Sequence, residues 1–525
     1  MFIPFKKSFF VLASAAILLS ACGDKTAIDA ERASINLIAQ SNPEMILSLK
    51  AQEILDKSGM SDGAVFPGAF KMIFAEMIDY VTDSEKTGID FSGKSFVLAD
   101  INDEGTIESV VTVFNLKDPE AFAKLIREDM EVEPAEKNDY HYVISPKNEM
   151  AICWYKKFGM FIMTDPNNFD ITKEQMEKLM DEKMAQSIVE TEPNENYATF
   201  LKEDADFSAM IFSGDMMKLG NREARGKEKE QLANLIETFD GSYTYYTVSF
   251  ETDKISAKMI NHLSDKAKAK TKDLTKKGVD PSTLSFLTND KLFGFFSLSL
   301  SPSNFMSFIE SVDPEEISKE KNQFSEKTGI AFNDLVNSFT GDFAMSFVGM
   351  EEVEKSYEYQ DEAGKTQTET YKSNEPLFSV SLGIKGDLLK SMVDTMPDLT
   401  KSENGVYKNR DAYMVFTPGK LYISNSESLA NSVATNGKLK DFKADGLEKK
   451  ASENPFFGMF DFKPLVASMS EREKEARQVM ANWDKVYAYG NMEEMHFEMT
   501  FRNTGENGLY VITKAVMDTF FQFEF

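Results

Sequence analysis

A five-residue string that occurs twice limits the possible folds of this chain more than any other feature. Glu85-Lys86-Thr87-Gly88-Ile89 returns as Glu326-Lys327-Thr328-Gly329-Ile330, 241 positions later. A repeat that extends into its flanks marks a repeated structural unit. Here Asn42–Leu49 matches Asn289–Leu300, Phe91-Ser92-Gly93-Lys94 matches Phe339-Thr340-Gly341-Asp342, and Val111–Leu116 matches Phe378–Ile384. Further on, Gly159–Met163 matches Gly419–Ile423 and Phe207–Phe212 matches Phe456–Phe462. Last, a charged helix at Glu223–Phe239 leads into Tyr245–Phe250, as one at Glu471–Val486 leads into Met495–Phe501. Matches in one unbroken order imply two homologous halves, 36–275 and 282–525. Each half, at about 240 residues, is long enough to bury most of its surface and fold alone.

Periodicity supplies the elements. Met495-His496-Phe497-Glu498-Met499-Thr500-Phe501 alternates apolar and polar, as does Phe296–Leu300, which is the pattern of a half-buried strand. Phe70, Ile73, Phe74, Met77, Ile78 and Val81 recur at helical spacing and form one stripe. Turn residues at Ser145-Pro146-Lys147-Asn148 and Thr417-Pro418-Gly419-Lys420 separate strand pairs and favour antiparallel hairpins. The expected class is α+β: in each half an antiparallel sheet of hairpins, with helices packed on one face.

One segment breaks the symmetry. Glu351–Glu375 is polar, with Tyr357, Tyr359 and Tyr371 placed on both sides of Asp361-Glu362-Ala363-Gly364-Lys365. Tyr/Thr alternation about a Gly turn predicts a long hairpin reaching past the sheet, where the first half has only the turn at Asn102–Gly105. Solvation alone would explain such an excursion. Exposed tyrosines, however, are favoured at interfaces, so Tyr357, Tyr359 and Tyr371 are the candidate partner contacts.

The N-terminus reads as an export signal over residues 1–21. Lys6 and Lys7 precede an apolar run, Phe9–Leu19, that falls short of a membrane-spanning helix. Leu19-Ser20-Ala21-Cys22 matches a bacterial lipobox, which implies a diacylglyceryl thioether on Cys22 and cleavage before it. Acylation of the new terminus would add a further chain, beyond the two signals that stable anchoring requires. Residues 22–35 then serve as a tether. The acid-rich tag that marks surface display in Bacteroidota lipoproteins is poorly matched by Gly23-Asp24-Lys25-Thr26. The expected location is therefore the periplasmic face of the outer membrane.

Composition closes off several classes. With 58 Lys+Arg against 86 Asp+Glu the formal charge is −28, which disfavours a nucleic-acid partner. Two cysteines exclude a disulfide scaffold, and Cys153, between Ile152 and Trp154, reads as a buried inert thiol on a strand. Lys266–Lys277 reads as a solvated linker helix rather than an anion site. Asp100-Ile101-Asn102-Asp103-Glu104-Gly105 opens like a calcium loop, but its twelfth position is Val111 instead of Glu, so a hairpin turn is expected. His141, His262 and His496 are scattered, with His496 on the polar face of its strand. No nucleophile elbow, P-loop or dinucleotide fingerprint occurs. No catalytic residue, cofactor or metal is expected. The abundant Phe and Met could line an apolar cavity, although core packing is the commoner use.

Taken together, the lipobox at Cys22, Asn42-Pro43-Glu44-Met45, Gly88-Ile89-Asp90-Phe91 and Phe339-Thr340-Gly341-Asp342 give the chain a family likeness. It resembles a family of uncharacterised Bacteroidota lipoproteins of about five hundred residues, known only as a domain of unknown function. The resemblance implies envelope location and fold, and it carries no activity or catalytic residues. The resulting expectation is a lipid-anchored, non-enzymatic envelope protein that binds another envelope component through a lobe or through 351–375. Rival readings are a carrier or sensor of an apolar ligand and a carboxylate-dependent hydrolase.

Overall fold

Several strands in this chain are apolar on both faces, and a sheet built from them needs cover on both sides. The computed structural model describes residues 28–66, 70–147, 149–165, 171–287, 292–360, 365–409, 412–439, 446–469, 473–502 and 504–522. Among these, the residues of 28–268 together with those of 504–522 form one compact unit, and those of 269–502 form a second.

The first unit contains β1 (Met45–Lys50), β2 (Ile89–Asp90), β3 (Lys94–Ile101), β4 (Ile107–Leu116), β5 (Ala135–Lys137), β6 (Tyr140–Ile144), β7 (Met150–Tyr155), β8 (Phe158–Met163), β9 (Phe207–Phe212), β10 (Tyr243–Glu251) and β11 (Lys254–His262). All pairings are antiparallel, in the order β5-β6-β7-β8-β4-β3-β1-β9-β10-β11, with β2 added at the end of β4. The second unit contains β12 (Gly294–Ser299), β13 (Phe339–Gln360), β14 (Thr366–Ile384), β15 (Thr400–Lys401), β16 (Val406–Asn409), β17 (Ala412–Thr417), β18 (Lys420–Ser424), β19 (Phe456–Asp461), β20 (Trp483–Gly490) and β21 (Glu494–Phe501). Its order is β15-β16-β17-β18-β14-β13-β12-β19-β20-β21, again antiparallel throughout. Strand for strand, the second order follows the first.

The repeated pentapeptide is a helix stop. The helices Ser84–Thr87 and Pro314–Thr328 both end at a left-handed glycine, Gly88 (φ 72°) and Gly329 (φ 68°), whose N–H closes the last turn. At Gly88 a β-carbon would also lie 2.2 Å from the Asp118 carbonyl oxygen, so that position needs glycine for space as well as for φ.

The expectation of helices on one face is corrected. In the first unit, helices Ala30–Ser41 and Lys173–Ile188 cover one face, packing Leu37, Ile38, Met176 and Met180 against Ile46, Phe96, Val111, Val113 and Met160. Helix Pro119–Met130 packs Phe122, Leu125 and Ile126 against Phe114, Leu116, Ile152, Trp154 and Phe161, residues that alternate with the first set and so point the other way. The reason is visible in β7 and β8, where Ile152-Cys153-Trp154 and Met160-Phe161-Ile162 leave no polar face. Local signals fix these helices. Asp29 caps the first, Thr172 and Gln175 form a reciprocal capping box on the second, and Asp118 caps the third ahead of Pro119.

Two other expectations change. Val486 lies in β20 rather than in a helix, because Val486, Tyr487, Ala488 and Tyr489 pair with β19; the helix before it covers only Lys474–Met480. Helix Gly508–Gln522 belongs to the first unit, not the second, with Tyr510 and Met517 packed against Val65, Phe66 and Ile78. The helix expected at residues 70–81 is present as Phe70–Thr82, but Met77 is 44% exposed while Ile78 is buried.

Phe122 is fully buried, with ring centroids 5.5 Å from Phe114 and 5.2 Å from Trp154. Phe122→Ala should therefore cost about 3–5 kcal/mol of stability, read from the denaturant midpoint, whereas the exposed Met72→Ser should change it by less than about 0.5 kcal/mol.

Candidate functional site

The insertion of the second unit builds a two-stranded ribbon. Pairing of β13 with β12 ends at Phe347, and pairing of β14 with β18 covers only Ser379–Gly383. From Met350↔Pro376 outward, β13 and β14 pair with each other alone, as far as Gln360↔Thr366. Eleven residues at strand rise carry this ribbon about 35 Å. A break in register between Phe347 and Met350 marks where it leaves the sheet, at Gly349 with φ 111°.

The ribbon brings the three predicted tyrosines together. Tyr357 pairs with Glu369, Tyr359 with Gln367, and Tyr371 stands two residues along from Glu369, so all three share one face. Ring centroids lie 5.8 Å apart for Tyr357–Tyr359 and 6.0 Å for Tyr357–Tyr371. Tyr357 Oη donates to Glu369 Oε2 at 2.6 Å, which raises the phenol above its ordinary range. Each ring remains nearly half exposed, at 45–48%. The opposite face presents Ser356, Glu358, Thr366, Thr368 and Thr370. The arrangement can stack and hydrogen-bond a partner. Cys22, the predicted lipidation site, lies outside the described residues.

Two buried charge clusters escaped the sequence reading, because their members are far apart in the chain. At one end of the first sheet, Lys183 Nζ donates to Asp100 Oδ2 at 2.6 Å, and Ser109 Oγ donates to the same oxygen at 2.5 Å. Nearby Glu44 accepts from the Ile101 N–H at 2.7 Å, and burial raises its carboxyl above the usual range. In the second unit, Asp342 accepts from Ser299 and Thr340 hydroxyls at 2.8 Å each and from Lys276 at 3.3 Å. Burial alone would raise the Asp342 carboxyl, but these donors bring it below its usual range. Lys420 meets Thr283 Oγ1 at 2.6 Å and Asp280 Oδ2 at 3.3 Å beside it. Asp100 and Asp342 are tied to lysines and hydroxyls and Glu44 to a backbone N–H, an arrangement that pins strand ends.

The remaining candidates resolve individually. Asp100–Gly105 is a hairpin turn in which Asn102 Oδ1 accepts the Glu104 and Thr106 N–H groups. Cys153 is fully buried in the core and burial pushes its thiol strongly up, as an inert thiol requires. His141 stacks on Trp154, His262 stacks on Tyr243, and His496 stacks on Tyr489 and pairs with Glu494 at 2.8 Å. Among the described residues no group of three or more His, Cys, Asp or Glu could hold a metal ion, and no helix is long and apolar enough to cross a membrane.

No protein-family model matches the chain, and no curated protein does. Among solved structures, crystal form I of TP0453 aligns at 9% identity and a TM-score of 0.27, covering 46% of this chain and 81% of that one. Crystal form IV aligns at 7% identity and a TM-score of 0.23, covering 46% and 84%. Likeness at this level bears on neither fold nor function.

Lys183→Met leaves the partly buried Asp100 with Ser109 but without its cation and should cost about 1–3 kcal/mol, most of it recovered in Asp100→Leu/Lys183→Met, as read from denaturant midpoints. For Asp342, a lowered carboxyl contributes stability that is present above the ordinary carboxylate range and is lost as pH falls through the lowered one. Wild type should therefore exceed Asp342→Asn in midpoint at pH 7, and the gap should close on acidification below about pH 4.

Proposed function

We propose that this protein is a lipid-anchored, non-enzymatic binding module of the cell envelope, held through Cys22 at the periplasmic face of the outer membrane. It engages another envelope component through the ribbon at 351–375. The observation that carries this reading is the ribbon itself. Beyond Met350 and Pro376 this hairpin pairs with no other strand among the described residues, yet it holds Tyr357, Tyr359 and Tyr371 on one exposed face. Exposed two-stranded ribbons are marginal alone and prone to edge pairing, so keeping one fits a docking role. The lipobox and the likeness to uncharacterised Bacteroidota lipoproteins support the location. The repeated helix stop and the matching strand orders support two homologous halves, of which only the second acquired the ribbon.

A second reading is favoured by a different observation. The sheet of the second unit is closed on one face, where Phe295, Ala344 and Phe457 are buried, but its other face carries only half-buried Phe296, Phe343 and Phe456. Helices Pro302–Val312, Phe332–Asn337 and Phe462–Ser468 lie on strands of that sheet without burying a single residue. A half-covered apolar face suits an apolar ligand. Solvent extraction of protein purified from its own cells, followed by mass spectrometry, distinguishes the readings: a stoichiometric lipid supports the carrier role.

In-cell cross-linking and pull-down should recover one dominant partner with wild type. It should be lost both in Cys22→Ala, which is not anchored, and on deletion of 351–375. Retention of the partner by the deletion would remove the ribbon from the account, and no partner in any form would count against a binding module.

A further inference from the structure

The ribbon combines three properties that together select one class of partner, and this step rests on the binding-module reading above. The first is its open backbone. Beyond Met350 and Pro376 the outer edges of β13 and β14 pair with no third strand among the described residues, so two rows of N–H and C=O groups face outward. Such edges are templates for an added strand. The second is charge. Residues 351–375 hold eight carboxylates against three lysines, so about a twentieth of the chain carries about a fifth of its net charge of −28. That density repels a second copy of the same ribbon, and it repels phosphate-bearing polymers and anionic head groups. The third is the aromatic face. Tyr357, Tyr359 and Tyr371 lie within 6.0 Å of one another in successive contacts, with the Glu369 carboxylate held among them by the Tyr357 hydroxyl. A guanidinium or ammonium laid on such a face meets ring quadrupoles and a carboxylate at once.

We infer that the distal ribbon receives a basic, extended segment of a protein partner, which adds to an outer edge while its Arg or Lys side chains cover Tyr357, Tyr359 and Tyr371. The edge supplies main-chain hydrogen bonds. The tyrosines and carboxylates supply the selection for positive charge. A neutral glycan could stack on the rings but would gain nothing from the carboxylates, and a strand of like charge would be rejected.

The test uses the full chain and a fluorescein-labelled decapeptide of alternating Arg and Val, with alternating Glu and Val as control. The Arg peptide should bind saturably and the Glu peptide should not. Binding should weaken at least about tenfold between 50 and 300 mM salt. It should also weaken at least about tenfold in Tyr357→Ser/Tyr359→Ser/Tyr371→Ser, which keeps every formal charge and removes the three rings together with the Tyr357 hydroxyl that holds Glu369. Equal binding by this variant, no saturable binding of the Arg peptide, or ribbon-dependent self-association of the chain would overturn the inference. In cells, a photo-cross-linker in place of Tyr359 separates this step from the reading beneath it. A cross-linked segment rich in Arg or Lys supports both. A neutral or acidic segment, or a glycan, overturns the basic-partner inference and leaves the binding module standing. No ribbon cross-link, with no partner in the pull-down, overturns both.

Discussion

Strands β4, β7 and β8 present apolar side chains on both faces, and much of the first unit is arranged around that need. Trp154 and Cys153 are neighbours in sequence, both almost fully buried, and they point to opposite sides of one strand. One helix layer could satisfy only half of such a sheet. Two layers are therefore recruited from distant parts of the chain, Ala30–Ser41 with Lys173–Ile188 on one side and Pro119–Met130 on the other. Phe122 of the helix and Trp154 of the strand are both buried edge to face, which is how the second layer is seated.

Edges and ends follow from the same sheet. Where strands stop, the buried Asp342 and the partly buried Asp100 gather lysines and hydroxyls, since a lone charge there would be costly. The second unit keeps the strand order but covers its faces unequally, with Phe457 fully buried and Phe456, its neighbour on the opposite face, only half-buried. It also extends one hairpin far past the point where other strands can support it. The tyrosine face lies on that extension.

Much of this was legible in the sequence where the signal is local. The hairpin at Asn102–Gly105 and the long pairing of β13 with β14 are written in turn chemistry and alternation, whereas the repeated pentapeptide at Gly88 and Gly329 reads as a repeat and becomes a helix stop only in the structure. Tyr357 and Tyr359 share a face by the period of a strand alone, whereas Tyr371 joins them only through the register of β13 against β14. What was illegible is non-local. Lys183 and Asp100 are 83 positions apart, and no pattern announces that they meet. Helices on both faces are signalled only indirectly, by the continuous apolar runs of β7 and β8, because a strand with no polar side needs cover on both. Trp483–Val486 falls inside the charged helix expected over Glu471–Val486, because the short helix before it, Lys474–Met480, merges with it in composition.

The central claim is that the distal ribbon is covered in the envelope and bare in isolation. Hydrogen–deuterium exchange at residues 351–360 and 366–375 tests it most directly, comparing purified protein with the same protein in membranes from its own cells. The account predicts fast exchange of the outward-facing amides in isolation and marked slowing in the membranes, confined to the ribbon. Equal exchange in both settings would contradict it, because a docked edge cannot leave its amides open to water.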